Sequence, residues 1–186
     1  MMVFEANPKS LYQEYPSTVA VVGAKLGNTV NFMAAAWHTM LSFSPPLFAV
    51  LISPKRFTHS LIEQSGEFTA SFLPYSHSRI VELLGRHSGK DLNKVEAFNL
   101  RLEEGHNVKC PYLKDAIAVY ECQVVDAPTY GDHTLFAGKI VGVHYDPEAF
   151  DKEGRPVYQA LLYLGKDAYT TNDPARVVTY DLKKLK

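Results

Sequence analysis

Eight residues, Ser53-Pro54-Lys55-Arg56-Phe57-Thr58-His59-Ser60, gather three hydroxyls and two cations. An oxyanion wants these groups. Hydroxyls donate hydrogen bonds, a guanidinium grips two oxygens at once, and an ammonium acts as a point charge. The segment also runs into a short helix, whose first backbone N–H groups favour an anion. Spacing alone leaves two readings open. Ser53, Arg56 and Thr58 could hold a phosphate, with Lys55 and His59 beside them. Alternatively Thr58 and Ser60 cap the helix while Lys55 and Arg56 face water.

Two further stretches carry chemistry. In Ala34-Ala35-Ala36-Trp37-His38-Thr39 the small side chains let a flat ligand approach the backbone. Thr39 and the backbone at Trp37 and His38 could then hydrogen-bond a heteroaromatic ring. A packed strand with one aromatic anchor explains the same pattern. Gly131-Asp132-His133 reads as a hairpin turn, with Gly131 for a positive φ and Asp132 for a side-chain turn bond.

Other chemistries are excluded by spacing. No GxGxxG follows a strand, and Gly85-Arg86-His87-Ser88-Gly89-Lys90 is one residue short of a P-loop, with Asp91 where Ser or Thr is required. There is no GxSxG elbow. Seven histidines include no HExxH, and no Cys-x-x-Cys accompanies them, so no metal site is expected.

The elements that must position these residues are mainly strands. Residues 18–24 form one, and Lys25-Leu26-Gly27-Asn28 turns it into a hairpin. Residues 29–43 read as a strand that leaves the sheet near Trp37. Residues 47–52 are continuously apolar, a strand buried on both faces. A helix over 58–65 carries a Ser60-to-Glu63 capping box and stops at Gly66. Strand 68–72 ends at Pro74. Ser76 or Ser78 caps a second helix, which buries Ile80, Val81, Leu83 and Leu84 and ends between Gly85 and Gly89. Residues 88–115 are irregular. Strands return at 117–126, 134–145 and 158–164, with a polar loop at 146–156. This spacing suggests a closed or nearly closed antiparallel barrel.

The 186 residues are expected to form a single domain. Lys plus Arg (19) balances Asp plus Glu (20), which gives no broad electrostatic reason for nucleic acid or an acidic membrane as partner. The N-terminus shows no secretion signal, and no apolar run reaches the ~20 residues of a membrane helix. Cys110 and Cys122 read as buried thiols of a reducing compartment, so a cytoplasmic location is expected.

Taken in order, these stretches resemble the flavin reductase-like family. "VNFMAAAWHTMLSFSPPLFAVLISPKRFTHSLI" is similar to its core pattern of Asn, small residues, a polar pair, Pro-Pro and a strand ending in Ser. "GRHSGKDLNKVEAF" is similar to its Ser-Gly, Asp, Lys-Phe loop, with Phe98 set further from Lys94 than in the family pattern. "YGDHTLFAGKI" and "LLYLGKDAYTT" resemble its Gly-Asp-His strand and its closing strand.

The resemblance implies an antiparallel split β-barrel of Greek-key type with short inserted helices. It also implies a homodimer with one FMN per subunit. Ser53, Arg56 and Thr58, flanked by Lys55 and His59, would hold the FMN phosphate. Asn31 and Ala36, Trp37, His38 and Thr39 would line the ribityl chain and ring. Ser88, Gly89 and Lys94 would approach from the loop after the second helix. His133 would lie where a nicotinamide stacks. The flavin supplies the redox chemistry, so no catalytic triad is expected. Three functions remain open: an NAD(P)H-dependent flavin reductase serving an oxygenase or other acceptor, an FMN electron carrier of the flavoredoxin kind reduced by a protein partner, or a non-catalytic ligand-binding barrel.

Overall fold

The computed structural model describes residues 2–6, 8, 11 and 13–180. Strands β1 (Ser17–Thr18) and β2 (Ala20–Leu26) lead into a two-residue turn at Gly27-Asn28, then β3 (Thr29–Ala35). Gly27 sits at φ 58, the positive value that such a hairpin requires. Next come β4 (His38–Phe43), β5 (Pro46–Ile52), α1 (Phe57–Ser65), β6 (Glu67–Phe72), α2 (Ser78–Arg86) and α3 (Lys94–Ala97). The short strands β7 (Leu102–Glu103) and β8 (Tyr112–Leu113) pair with each other. Strands β9 (Ala118–Asp126), β10 (Thr129–Tyr130), β11 (His133–Tyr145), β12 (Leu162–Gly165) and β13 (Ala168–Thr170) complete the chain.

The main antiparallel sheet runs β3-β2-β6-β9-β11-β5-β4, with β10 on β11. Its edge strands are two halves of one segment, parted only by Ala36-Trp37. Residues 29–35 pair with β2, residues 38–43 pair with β5, and Leu51 N–H donates to the Trp37 carbonyl at 3.0 Å. The segment therefore changes partner at Trp37 where the sequence suggested that it leaves the sheet. This is a split barrel, opened at the kink. A small sheet, β1-β12-β13, lies beside it. Strand β12 begins at Leu162, later than expected, because residue 160 makes only an isolated bridge, to Pro74.

Alternation along β2 builds two cores. Ala20, Val22 and Ala24 join Phe48, Val50, Ile52, Phe68 and Phe136 inside the barrel, with Leu61 and Ile62 of α1. Val19 and Val21 join Phe32 on the opposite side, against Val81 and Leu84 of α2. Each fully buried Phe stabilises by about 1.5–3 kcal/mol. The two helices thus clamp opposite faces of the β2–β3 hairpin, and their ends meet near β3.

Both expected helix caps fail. Arg56 is the N-cap of α1 and makes no side-chain capping bond. Ser60 lies inside the helix, and its hydroxyl donates to the Phe57 carbonyl at 2.9 Å, a local bond that diverts it from capping. Before α2, a 3-10 turn at Tyr75–His77 runs directly into the helix, so neither Ser76 nor Ser78 caps it. Gly66 does close α1, at φ 70, with its N–H on the Ile62 carbonyl at 2.8 Å. The stretch read as irregular contains α3, whose Asn93 side chain accepts from Val95 N–H at 3.2 Å.

Cys110 and Cys122 are buried and free. Burial pushes the Cys110 thiol up to about 12 and raises that of Cys122 as well, so both stay protonated. Among the described residues no helix is long and apolar enough to cross a membrane.

Candidate functional site

The uncapped start of α1 borders a small cavity of about 120 Å³. Its lining includes Asn31 from β3, Lys55, Arg56 and Thr58 from the helix start, and Ser88, Gly89 and Lys94 from the segment after α2. These residues are far apart in the chain; the clamp of α1 and α2 around β3 brings them together. Three cations line this space, and among the described residues no carboxylate does. A turn closed by Arg56 N–H on the Ser53 carbonyl, 2.9 Å, sets the approach to the helix. The first turn of α1 lacks a side-chain cap; His59 N–H donates to the Arg56 carbonyl at 3.1 Å, which leaves the amides of Phe57 and Thr58 as the ones an anion could meet.

Three buried hydrogen bonds anchor this end. Asn31 Nδ2 donates to Thr58 Oγ1 at 2.7 Å, and both residues are buried. The Thr58 hydroxyl accepts there, which leaves its hydrogen to donate. Lys94 spends two N–H groups on the carbonyls of Phe32 (2.8 Å) and Leu84 (2.7 Å). Gly89 presses on this floor: a Cβ there would lie 2.3 Å from Asn31 Oδ1 and 2.5 Å from the Phe57 ring. Only glycine fits without displacing them.

The electrostatics point the same way. Burial, with the neighbouring Arg56 charge, pulls the Lys94 ammonium down to about 8. Two carbonyls do not compensate the charge, and an anion would.

Past Arg56 a wider cavity of about 380 Å³ opens. It shares Met33, Ala34 and Arg56 with the first, so the two adjoin along β3. One wall is the kinked backbone of Ala34, Ala35, Ala36 and Trp37; opposite stand the end of β5 with Ser53, and His133. Trp37 and His133 rings lie 4.8 Å apart at 44°. Trp37 Nε1 donates to Tyr15 Oη at 3.2 Å. His133 Nδ1 lies 2.7 Å from Asp132 Oδ1, and that contact holds the Asp132 carboxyl below its usual range. Small side chains make the wall flat, and the aromatic pair makes its rim.

Three residues expected in the site do not line either cavity. His59 is buried with Nε2 2.9 Å from Thr134 Oγ1, and burial lowers its pKa, so it offers an anion no charge. His38 packs its ring against Phe48 and Phe72 and places Nε2 3.1 Å from the Thr18 carbonyl. Thr39 lies exposed on β4 and donates to the Met40 carbonyl at 3.3 Å. His38 and Thr39 sit on opposite faces of β4, one against the aromatic core and one in solvent, and α1 turns His59 inward. Unexpected lining comes from Met33, Phe57 and Tyr163. Tyr163 is a strand residue by pattern, and no local signal marks it as lining.

Fold and site define an open split barrel with a small, cation-lined cavity beside an aromatic-rimmed groove. Residues 12–172 match the flavin reductase like domain, and the chain belongs to that family. A protein of Archaeoglobus fulgidus without an assigned function is 41% identical over 150 residues, covering 78% of this chain and 83% of that one. The reductase component of 4-hydroxyphenylacetate 3-monooxygenase from Thermus thermophilus is 29% identical over 140 residues, 75% of this chain and 85% of that one. The crystal structure of an FMN-binding protein from Thermus thermophilus with bound 1-cyclohex-2-enone superposes with a TM-score of 0.89 at 39% identity, covering 96% of this chain and 100% of that one.

Proposed function

We propose that the chain is an FMN-binding flavin reductase that takes hydride from NAD(P)H. The observation that carries this is the cradle itself: three cations, an uncapped helix start and the Thr58 hydroxyl converge on one small cavity beside a flat groove. A terminal phosphate with a flat heteroaromatic ring attached matches both ends, and FMN is such a molecule. FMN, when bound, supplies the hydride chemistry.

The chain's own residues bind and orient. Arg56 and Lys94 neutralise the phosphate, and α1 amides with Thr58 fix its oxygens. Ala34, Ala35 and Ala36 let the ring lie against backbone, whose amides and carbonyls meet its polar edge. Trp37 and His133 border the open face, where a nicotinamide would stack. FMN-binding and monooxygenase-reductase relatives support the reading. A flavin or a partner oxygenase would accept the electrons.

The test is an absorption spectrum of purified protein loaded with FMN. NADH or NADPH should bleach the flavin band in the absence of air. A flavin-loaded protein that neither nucleotide reduces sinks the enzyme reading and leaves an electron carrier reduced by a protein. A protein that cannot be loaded with FMN sinks both.

A homodimer belongs to the same proposal. Strand β4 is a sheet edge and exposes Met40, Leu41 and Phe43, the last at 93%. An apolar edge beside the groove suits a second copy of the chain. Light scattering should give twice the monomer mass; a monomer excludes it. Two buried thiols suit a reducing, cytoplasmic setting.

A further inference from the structure

We infer that His59 is a positioning residue: through Thr134 it fixes His133 at the rim of the groove and ties that rim to the cradle. The inference rests on the flavin reading, because the rim is where that reading stacks a nicotinamide. Thr58 and His59 are buried neighbours on the first turn of α1, and they face different ways. Thr58 lines the cradle and accepts from Asn31. His59 turns into the barrel and places Nε2 2.9 Å from Thr134 Oγ1. Its ring packs T-shaped on Phe136, with centroids 4.9 Å apart.

His133 stands on a short hairpin whose base is Thr134. Strand β10 gives that hairpin two paired residues, Thr129 with Thr134 and Tyr130 with His133. The ladder to β5 begins at Thr134, one residue beyond His133. Alternation sends the Thr134 side chain into the barrel, where it is buried, and His133 to the opposite face, against Trp37. The Thr134 hydroxyl meets His59 and, at 3.4 Å, Thr129 Oγ1. Of these two side-chain partners only His59 lies outside the hairpin.

A buried imidazole is costly unless it is hydrogen-bonded, and an apolar ring would pack on Phe136 without that cost. The polar ring at this position therefore answers to alignment. Burial lowers the pKa of His59, against the opposing charge of Glu63, so the ring is neutral. A neutral imidazole makes a directed bond through each nitrogen and brings no charge into the barrel. Consecutive residues of one helical turn thus serve both ends of the site. Seating an anion on α1 and aligning the rim at His133 depend on the same rigid piece.

The chain has one tryptophan, Trp37, and its ring lies 4.8 Å from that of His133. A protonated imidazole quenches an indole that it touches, so Trp37 emission reports the rim with no flavin present. In the ligand-free wild type, emission should fall at least about twofold between pH ~8 and pH ~5, as His133 gains its proton. His133→Asn should abolish this step. Asp132, which contacts His133, and Lys55, near that carboxylate, are unchanged in the variants that follow. His59→Phe keeps the ring against Phe136 and removes the bond to Thr134, and should shrink the step by about half, the loss of one hydrogen bond. His59→Gln, whose amide can reach Thr134, should restore it. Thr134→Val removes the same bond from the other side and serves if His59→Phe does not fold. In FMN-loaded protein, His59→Phe should raise KM for NADH or NADPH about fivefold, with kcat and FMN affinity within about twofold of wild type. No step in the wild type, or one that survives His133→Asn, overturns the inference. So does a full step in His59→Phe and Thr134→Val, or a loss that His59→Gln does not restore. A lost step with unchanged KM overturns the part of His59 in the reaction. If FMN fails to bind or neither nucleotide reduces it, the flavin reading falls, and the emission step of the ligand-free chain still scores His59 as the residue that positions His133.

Discussion

Among the described residues two formal charges, Glu121 and Lys94, lie buried, and they are treated in opposite ways. Glu121 on β9 is fully buried. Its carboxylate accepts from the backbone N–H groups of His106 (2.8 Å) and Asn107 (2.6 Å) and contacts His144 Nε2. Burial alone would raise its pKa, but these donors together bring it below the usual carboxylate range. Lys94 is 3% exposed, and only two neutral carbonyls accept from it. Its pKa falls, in the direction that marks an uncompensated charge. The first is a finished structural joint that ties the 103–115 loop to the barrel. The second is a charge with no counter-ion beside it among the described residues. A buried charge is read by the sign of its perturbation, not by burial alone.

The comparison breaks most sharply at Glu121. Replacing it by alanine leaves three donors without their acceptor, and should cost about 3–5 kcal/mol of stability in a urea titration. Arg56→Ala should leave stability near wild type and weaken FMN by about 1.5–3 kcal/mol in a fluorescence titration, since a charged hydrogen bond to phosphate is lost. Unchanged affinity there removes Arg56 from the cradle. Gly89→Ala should be intermediate in kind. Its Cβ would displace Asn31 and Phe57, with about 1–3 kcal/mol lost from folding and weaker FMN binding in the same protein.

The smallest effect concerns pH. Lys94 titrates at about 8 when folded, against 10.5 for an ordinary lysine. Between these values the unfolded chain holds the extra proton, so the contribution of this group to stability rises with pH across that window. Binding has the opposite sign. A phosphate prefers the charged ammonium, so FMN affinity should fall as pH climbs past about 8. Lys94→Met should flatten that part of the profile; a profile that does not change removes Lys94 from the site. Glu121 contributes stability above the ordinary carboxylate range, lost as pH falls through its lowered value. Acid unfolding monitored by circular dichroism should therefore shift to higher pH in Glu121→Gln.

Much of this was legible in local pattern. The β2–β3 hairpin follows from Gly27-Asn28, the double burial of β5 from its unbroken apolar run, and the end of α1 from Gly66. Lys55, Arg56 and Thr58 of the cradle are neighbours in sequence, so their chemistry is visible there. The capping assignments failed because a serine that fits a capping box can equally bond inside the helix, as Ser60 does. His59 looked like a phosphate ligand by adjacency, and is a core residue because α1 turns it towards Thr134. His38 and Thr39 lie beyond the kink at Ala36-Trp37, where the segment pairs with β5: His38 packs on Phe48 and Phe72, and Thr39 faces solvent.

By itself, the sequence determined the strand-rich barrel, the two helices and a phosphate-friendly corner, because periodicity, turn chemistry and neighbouring side chains are local quantities. Only the tertiary structure decided which residues share that corner. Lys94 and Gly89 reach it because α2 packs on β3, and Tyr163 reaches the groove because β12 folds back beside β1. The pairing of His59 with Thr134, and the contrast between Lys94 and Glu121, likewise depend on long-range contacts. Burial and pairing are properties of the packed chain, so no stretch of sequence carries them alone.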